Sequence, residues 1–223
     1  MLVRMIAVTW TLAGAFSANS LGDTIYESAT LGPTGAASGL DLSSTQHIGS
    51  RFSISMPATV TGVRGHLLGV NPNPTSLFAA IVRMFGDFPS PTVYTTDTLA
   101  SAVFTVPLAG LSRDVSVPLA ASLAAGDYAV IFGAGQFGAT GRSGRMPTNN
   151  AETPQGTGSF FLGGSGSWVD LAPQFSRFRF VVEGQTLPEP STGSLFLLGR
   201  LLVFRIAHPA GTTCCRPSTG TAR

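Results

Sequence analysis

The chain has 223 residues, of which only 11% are charged, and its formal net charge is +2. All thirteen basic residues are arginines, which excludes every mechanism that needs a catalytic or phosphate-binding lysine. Glycine is abundant, with 27 residues, and this favours short strands joined by turns over long helices.

The N-terminus has the pattern of a secretory signal peptide. Arg4 precedes an uncharged apolar run over residues 5–16, and small residues follow at positions 17–20. A basic start, an apolar stretch and a small-residue exit are typical of such signals. We therefore expect a signal helix within residues 1–20, with cleavage before Leu21. Cleavage after Ser17, or a first core element of a cytosolic domain, is the alternative.

Residues 21–186 have the pattern of an antiparallel all-β domain. Apolar residues fill most of the segment 76–85 and all of the segment 128–132, which indicates central strands covered on both faces. Alternating residues predict most other strands, and Pro118 indicates an edge strand. Residues 108–125 offer the best helical alternative, limited by Pro118 and Gly126. The candidate strands are residues 24–28, 51–56, 59–70, 76–85, 99–106, 114–119, 128–132, 159–162, 167–171 and 177–182.

Turn-forming residues separate these strands and favour a particular class of fold. Prolines and glycines cluster at residues 71–74, 89–91, 125–127 and 163–166. Nine or ten short strands separated by turns predict an antiparallel β-sandwich of jelly-roll type.

The C-terminal end carries a more specific motif. Pro188 and Pro190 flank Glu189, and two prolines so placed cannot continue a strand or helix. An apolar stretch over residues 194–204 follows, interrupted by Arg200 and closed by Arg205. It is shorter than the roughly 20 residues of a stable membrane span. We expect transient membrane association through this segment. The alternative is an accidental Pro-Glu-Pro before a closing strand.

This order of features resembles the PEP-CTERM sorting signal of exported bacterial proteins. The resemblance covers residues 187–205, and an atypical tail, expected to be disordered, continues over residues 206–223. It implies that an exosortase-like membrane enzyme recognises Pro188, Glu189 and Pro190. It also implies delivery to the cell surface, outer envelope or extracellular matrix, often in bacteria that make exopolysaccharide.

The domain ahead of the motif is similar to uncharacterised exported β-sandwich domains found before this sorting signal. Residues 29–34, 65–67, 77–82 and 126–133 carry the similarity. The resemblance implies an architecture and a location, and it implies no chemistry.

Candidate catalytic groups are few and scattered. His47 and His66 are the only histidines of the 21–186 segment, the acids stand singly, and the sequence has no GxSxG motif. A secreted Ser–His–acid hydrolase is therefore the least favoured function. Residues 133–138 match GxGxxG, but glycines and Pro147 follow where a dinucleotide site needs a helix. We expect a glycine-rich loop, no cofactor, no metal site and no catalysis.

Carbohydrate binding is the main alternative to a purely structural role. Trp168 is the only tryptophan after residue 10, and Tyr94, Arg145 and Asp170 are its candidate companions at a glycan surface. Residues 21–186 contain eight arginines and ten acids, a net charge of −2. Nucleic acid is therefore not an expected partner, whereas the export machinery, an exosortase-like enzyme and extracellular polysaccharide are.

Overall fold

The computed structural model describes residues 23–35, 38–70, 76–106, 112–140, 144–155, 158–162, 167–171 and 177–187. Over these residues the protein is all-β, and every strand pair is antiparallel. The expected signal peptide (1–20), sorting signal (187–205, apart from Leu187) and tail (206–223) lie outside them. In the ranges described, no helix has the length and apolar character needed to cross a membrane.

Fifteen strand segments lie within the described ranges. They are β1 (Asp23–Glu27), β2 (Ala29–Thr30), β3 (Leu40–Leu42), β4 (His47–Ile54), β5 (Ala58–Gly69), β6 (Ser76–Phe85), β7 (Phe88–Pro89), β8 (Thr98–Thr105), β9 (Arg113–Leu123), β10 (Gly126–Gly133), β11 (Gly144–Met146), β12 (Ala151–Glu152), β13 (Ser159–Leu162), β14 (Trp168–Asp170) and β15 (Phe180–Thr186).

The first sheet is built around β5. Strand β5 pairs with β15 on one edge and with β9 on the other, so that Val63 lies between Val182 and Val117. Strand β1 extends the sheet beyond β15, and β11 joins the end of β5 to β3. The main neighbour order is therefore β1-β15-β5-β9.

The second sheet is built around β10 and β6. Val130 of β10 lies between Ser50 of β4 and Ile81 of β6, and Ala80 of β6 lies between Ile131 of β10 and Ser101 of β8. The hairpin β13–β14 continues the sheet beyond β4, and β7 pairs with the end of β6. The main neighbour order is therefore β14-β13-β4-β10-β6-β8. Of the sheets, one is nearly closed and barrel-like and one forms a half-barrel.

The main apolar core lies where inward residues of both sheets meet. Val63, Val117 and Val182 of the first sheet and Phe52 and Phe132 of the second belong to one cluster of buried side chains. The alternation predicted for β9 is observed, since Val117 and Leu119 are buried while Ser116 and Pro118 are exposed. Alternation in the sequence therefore fixes which face of β9 the core covers.

A second apolar cluster covers the outer face of the second sheet. Its buried members are Phe78, Ala80, Val82, Val93, Ala129, Ile131, Ala139 and Phe160. Residues 77–82 of β6 and residues 128–133 of β10 are thus buried on both faces, as their apolar runs predict. At Gly133 of β10 a Cβ atom would lie only 2.3 Å from the His47 ring, so this position needs glycine for the ring to pack against the sheet.

Each of the ten predicted strands overlaps an observed strand, and β6 and β13 have the predicted bounds, whereas the strand predicted over residues 177–182 begins only at Phe180. The predicted number of strands, nine or ten, was too low. The strands that were not predicted are β2, β3, β7, β11 and β12, which have two or three residues each. Segments so short show no periodicity. The helical alternative is wrong over β9, whose backbone pairs with β5 along its length. Within the described pairings, β9 is the edge strand that Pro118 indicates.

Candidate functional site

The hairpin β13–β14 places Trp168 and Asp170 on one face. Phe160 lies opposite Asp170 in the register, and residues two apart on a strand share a face. The Trp168 ring packs edge-on against Phe160, with centroids 5.1 Å apart and planes at 83°. Because Phe160 is fully buried and Trp168 only partly, Trp168 has an exposed portion anchored on a rigid base.

Arg51 of β4 connects this hairpin to a third aromatic residue. Its guanidinium carbon lies 5.5 Å from the Phe160 ring centroid and 5.1 Å from that of Phe88, within cation–π range. Arg51 Nη2 lies 3.5 Å from Asp170 Oδ2, and Arg51 Nε donates to the Asp87 carbonyl at 2.6 Å. We call Arg51, Phe88, Phe160, Trp168 and Asp170 the Arg51 patch.

A cleft of about 370 Å³ borders the Arg51 patch. Arg51 lines it together with Tyr26, Phe52, Ser53 and Gln155, among others. Its floor is rigid, because the Tyr26 and Phe52 rings stack at 5.3 Å and Tyr26 shares a 2.7 Å hydroxyl hydrogen bond with Ser50. Burial raises the pKa of Tyr26, although the hydrogen bonds oppose this shift. The Tyr26 hydroxyl therefore remains neutral.

Tyr94 is held within the second apolar cluster. Its hydroxyl lies 2.5 Å from His47 Nδ1, and its ring packs edge-on against Phe78 and Phe137. Burial raises the pKa of Tyr94. Tyr94 is thus bonded within the molecule, and none of these contacts involves Trp168.

Arg145 lies in the first sheet, whereas Trp168 lies in the second. Arg145 belongs to β11, opposite Asp41 of β3, and its Nε donates to Asp41 Oδ1 at 2.6 Å. Of the four residues that the sequence groups as glycan contacts, the structure therefore joins Trp168 and Asp170 and places Tyr94 and Arg145 in other contacts. Sequence reasoning missed Arg51 and Phe88, since an arginine in an alternating strand predicts only a solvent-facing position.

His47 uses both ring nitrogens in structural hydrogen bonds. Nε2 donates to the Ala134 carbonyl at 2.9 Å, so Nδ1 is the acceptor from Tyr94. Burial lowers the pKa of His47, although the Ala134 hydrogen bond opposes the shift. A neutral histidine with this bonding has no free nitrogen to accept a proton from a serine.

His66 is enclosed on the outer face of the first sheet. Asn150 Nδ2 donates to the Pro147 and Arg177 carbonyls, so Asn150 Oδ1 accepts from His66 Nδ1 at 2.8 Å. Nε2 is buried without a hydrogen-bond partner among the residues described. Burial lowers the pKa of His66, against the raising effects of Asn150 and Asp114. Because His66 is fully buried, a substrate cannot reach it without rearrangement.

An ion network of Glu27, Arg64, Asp114, Arg179 and Glu183 lies beside His66. Arg179 pairs with Glu27 and, at 3.1 Å, with Asp114; Arg64 pairs with Asp114 at 3.1 Å and with Glu183 at 2.8 Å. Burial lowers the pKa of Arg179, but its bonds with Asp114 and Glu27 outweigh this effect and raise the pKa overall. The network joins β1, β5, β9 and β15 of the first sheet, and its charged groups pair with one another. We therefore assign it a structural role.

The GxGxxG segment forms a tight loop. Gly135 N donates to the Ala139 carbonyl at 2.7 Å, and Ala139 N donates to the Gln136 carbonyl at 2.9 Å. Phe137 between them has a φ of 55°. A helix N-terminus that would hold a pyrophosphate does not occur in described residues 134–140. Across the described ranges, no three His, Cys, Asp or Glu residues are grouped as metal ligands.

Pro188, Glu189 and Pro190 lie outside the described residues. Comparison of the chain with protein-family models and with curated protein sequences found no match in either.

Proposed function

We propose that the chain is a non-catalytic exported protein of the cell envelope or extracellular matrix, delivered through its PEP-CTERM-like signal. The signal peptide directs it to the export machinery. The apolar segment 194–204 then holds it transiently at the membrane, while an exosortase-like enzyme recognises Pro188, Glu189 and Pro190. Its destination is the cell surface, outer envelope or extracellular matrix.

The end of the β-fold carries this proposal. Strand β15 ends at Thr186, and the Leu187 amide donates to the Pro57 carbonyl at 2.7 Å. Pro188 is the next residue and has no amide hydrogen to extend such pairing. The motif therefore begins directly after the hydrogen-bonded β-fold, which is where a processing enzyme needs it.

The bonding of the histidines supports a role without catalysis. His47 has both ring nitrogens in hydrogen bonds, and His66 is fully enclosed. A Ser–His–acid hydrolase needs an accessible imidazole with one nitrogen on the serine and the other on a carboxylate. Hydrolysis is therefore the least supported of the three functions.

We assign the finer architecture to a β-sandwich of jelly-roll type. The neighbour orders β1-β15-β5-β9 and β4-β10-β6-β8 divide eight strands into two sets of four. The chain changes sheet from β4 to β5, from β5 to β6, from β8 to β9 and from β9 to β10. These crossings support two interlocked Greek keys, the connectivity of jelly rolls.

A Glu189→Gln variant tests the sorting proposal. We expect it to accumulate in the membrane fraction with its apolar segment intact, while the unmodified protein reaches the cell surface or medium. Glu152→Gln is the matched control, because Glu152 is exposed on the short strand β12, and it should be delivered normally. Normal delivery and processing of Glu189→Gln would contradict the role of the motif.

Carbohydrate binding is the second proposed function. The observation that favours it is the partial exposure of Trp168 on the buried Phe160 ring. An aromatic ring that is fixed from behind and open in front offers a stacking surface with little conformational entropy to lose.

A further inference from the structure

Arg51 joins the Arg51 patch to the cleft beside it, because it contacts the rings of the patch and also lines the cleft. Aromatic side chains at this surface are accessible to solvent. Phe88 and Trp168 are partly exposed, and Phe85, which lies opposite Phe88 in the β6–β7 register, is 61% exposed. A chain of ring contacts runs from Phe88 through Phe160 to Trp168, with centroid separations of 6.3 Å and 5.1 Å.

The polar groups of this surface are few and fixed in place. Asp170 lies against the Arg51 guanidinium, and Ser53 donates to Asp127 Oδ1 at 2.5 Å. Gln155 Oε1 accepts from the Glu27 amide at 3.4 Å. Apolar rings with a small number of oriented polar groups are the usual composition of a small-ligand or saccharide site.

The charge of the surface discriminates between acidic and uncharged polysaccharides. The Arg51 guanidinium is balanced by Asp170, and Asp87, whose carbonyl binds Arg51, adds an exposed carboxylate. Residues 21–186 also have a net charge of −2. An acidic polysaccharide would therefore meet repulsion and find the Arg51 guanidinium already paired. An uncharged polysaccharide meets no such repulsion and can donate hydroxyl hydrogens to carboxylates.

We propose that the Arg51 patch and its adjoining cleft bind a neutral polysaccharide. The exposed portions of Trp168 and Phe88 stack against the C–H faces of sugar rings, because the ring faces carry partial negative charge. Asp170 accepts hydroxyl hydrogens, and Ser53 and Gln155 line the cleft that receives a neighbouring sugar. Arg51 acts as a positioning residue that holds Asp170 and the Phe88 ring. This inference rests on the second proposed function and is independent of the sorting proposal.

Affinity electrophoresis of the full-length protein tests the inference. The gels contain laminarin, glucomannan, hydroxyethyl cellulose or, as the acidic probe, polygalacturonate. We expect retardation by at least one neutral polysaccharide, unchanged between 0.05 M and 0.5 M NaCl, since no ion pair forms with the ligand. Trp168→Ala should weaken this binding at least tenfold.

The control for exposed apolar surface is Val103→Ala. Val103 is 45% exposed on β8, the strand at the other end of the second sheet from β14, so binding should change less than twofold. Asp170→Asn leaves the rings in place and should weaken binding about threefold or more. This variant tests the site even if Trp168→Ala does not fold. Arg51→Lys keeps the charge but lacks the planar guanidinium, and it should weaken binding with the fold intact.

The possible failures can be told apart. Retardation by a neutral polysaccharide that Trp168→Ala and Asp170→Asn leave unchanged would overturn this site but not carbohydrate binding. Retardation only by polygalacturonate, lost at high salt, would overturn the neutral ligand class. Absence of retardation by every probe would overturn both the site and the second proposed function. None of these results affects the sorting proposal, which Glu189→Gln tests separately.

Discussion

The outer faces of the two large sheets are held by different physical means. On the first sheet, the buried Arg179 pairs with Glu27 and Asp114, beside the enclosed His66. On the second sheet, rings such as Phe78 and Phe160 form the second apolar cluster. One face therefore depends on matched charges and the other on apolar burial and ring packing.

This difference distinguishes groups that bond only within the protein from groups that a ligand can contact. The charges of the first sheet satisfy one another, so they fix the positions of β1, β5, β9 and β15. In the second sheet, Phe88 and Trp168 of the Arg51 patch stay partly exposed beside the buried Phe160 ring. The ring-covered face is thus the better candidate for a ligand.

Phe78→Ala should have the largest effect on stability. Phe78 is fully buried and contacts the rings of His47, Tyr94 and Phe137, so its removal leaves a cavity that rigid rings cannot fill. We expect a loss of about 4 kcal/mol in the free energy of unfolding, measured by urea denaturation. Phe85→Ala removes a largely exposed phenylalanine and should cost under about 1 kcal/mol. Equal costs for the two variants would contradict the second apolar cluster.

Arg179→Met should have the next largest effect. The substitution removes the cation that pairs with Glu27 and leaves Asp114 paired with Arg64, in a partly buried site. We expect a loss of about 3 kcal/mol, since removing one member of a buried ion pair leaves an uncompensated charge. Arg83→Met is the control, because Arg83 is exposed on β6, and its cost should lie below about 0.5 kcal/mol. If Arg179→Met is about as stable as the unmodified protein, the ion network does not stabilise the outer face of the first sheet.

Tyr94→Phe should have a smaller effect on the ring-covered face. The ring remains, but His47 Nδ1 loses its hydrogen-bond donor. An unsatisfied buried acceptor costs about 1 kcal/mol or slightly more, and urea denaturation can resolve this difference. Because Tyr94 lies outside the Arg51 patch, the same variant should bind polysaccharide as the unmodified protein does. Loss of binding would show that the site extends to Tyr94, which would contradict the limits of the Arg51 patch.

Acid should weaken both faces slightly through the two histidines. Burial lowers the pKa values of His47 and His66 below their ordinary value of about 6.5. The unfolded chain then takes up protons first as pH falls, so this stability is present above about pH 6.5 and is lost toward the folded pKa values. The free energy of unfolding should decrease from pH 7.5 to pH 5.5. His47→Gln should show a shallower decrease, and an increase in stability over this range would contradict the assignment.

Local sequence patterns predicted much of the fold. Strand β6 was predicted with the observed bounds because its residues are mostly apolar and the turn-forming Gly86 and Asp87 follow it. Strand β11 was missed because its three residues owe their conformation to pairing with β3 and β5. Pairing between distant strands is a tertiary property that short-range periodicity does not contain.

The candidate site was predicted less completely. Trp168 and Asp170 were identified by residue type and lie together, whereas Arg145 was grouped with them although it pairs with Asp41 in the other sheet. Arg51 has the same sequence pattern as any outward arginine of a strand. Its contact with Phe88 depends on the β6–β7 hairpin folding toward β4, which no local signal encodes.

The intact mass of the protein recovered from the cell surface and medium tests the central proposal most directly. We expect a chain that lacks residues 1–20 and also lacks the apolar segment 194–204, with the β-fold through Leu187 retained. Recovery of a chain with both ends intact from the cytoplasm would contradict export and sorting alike.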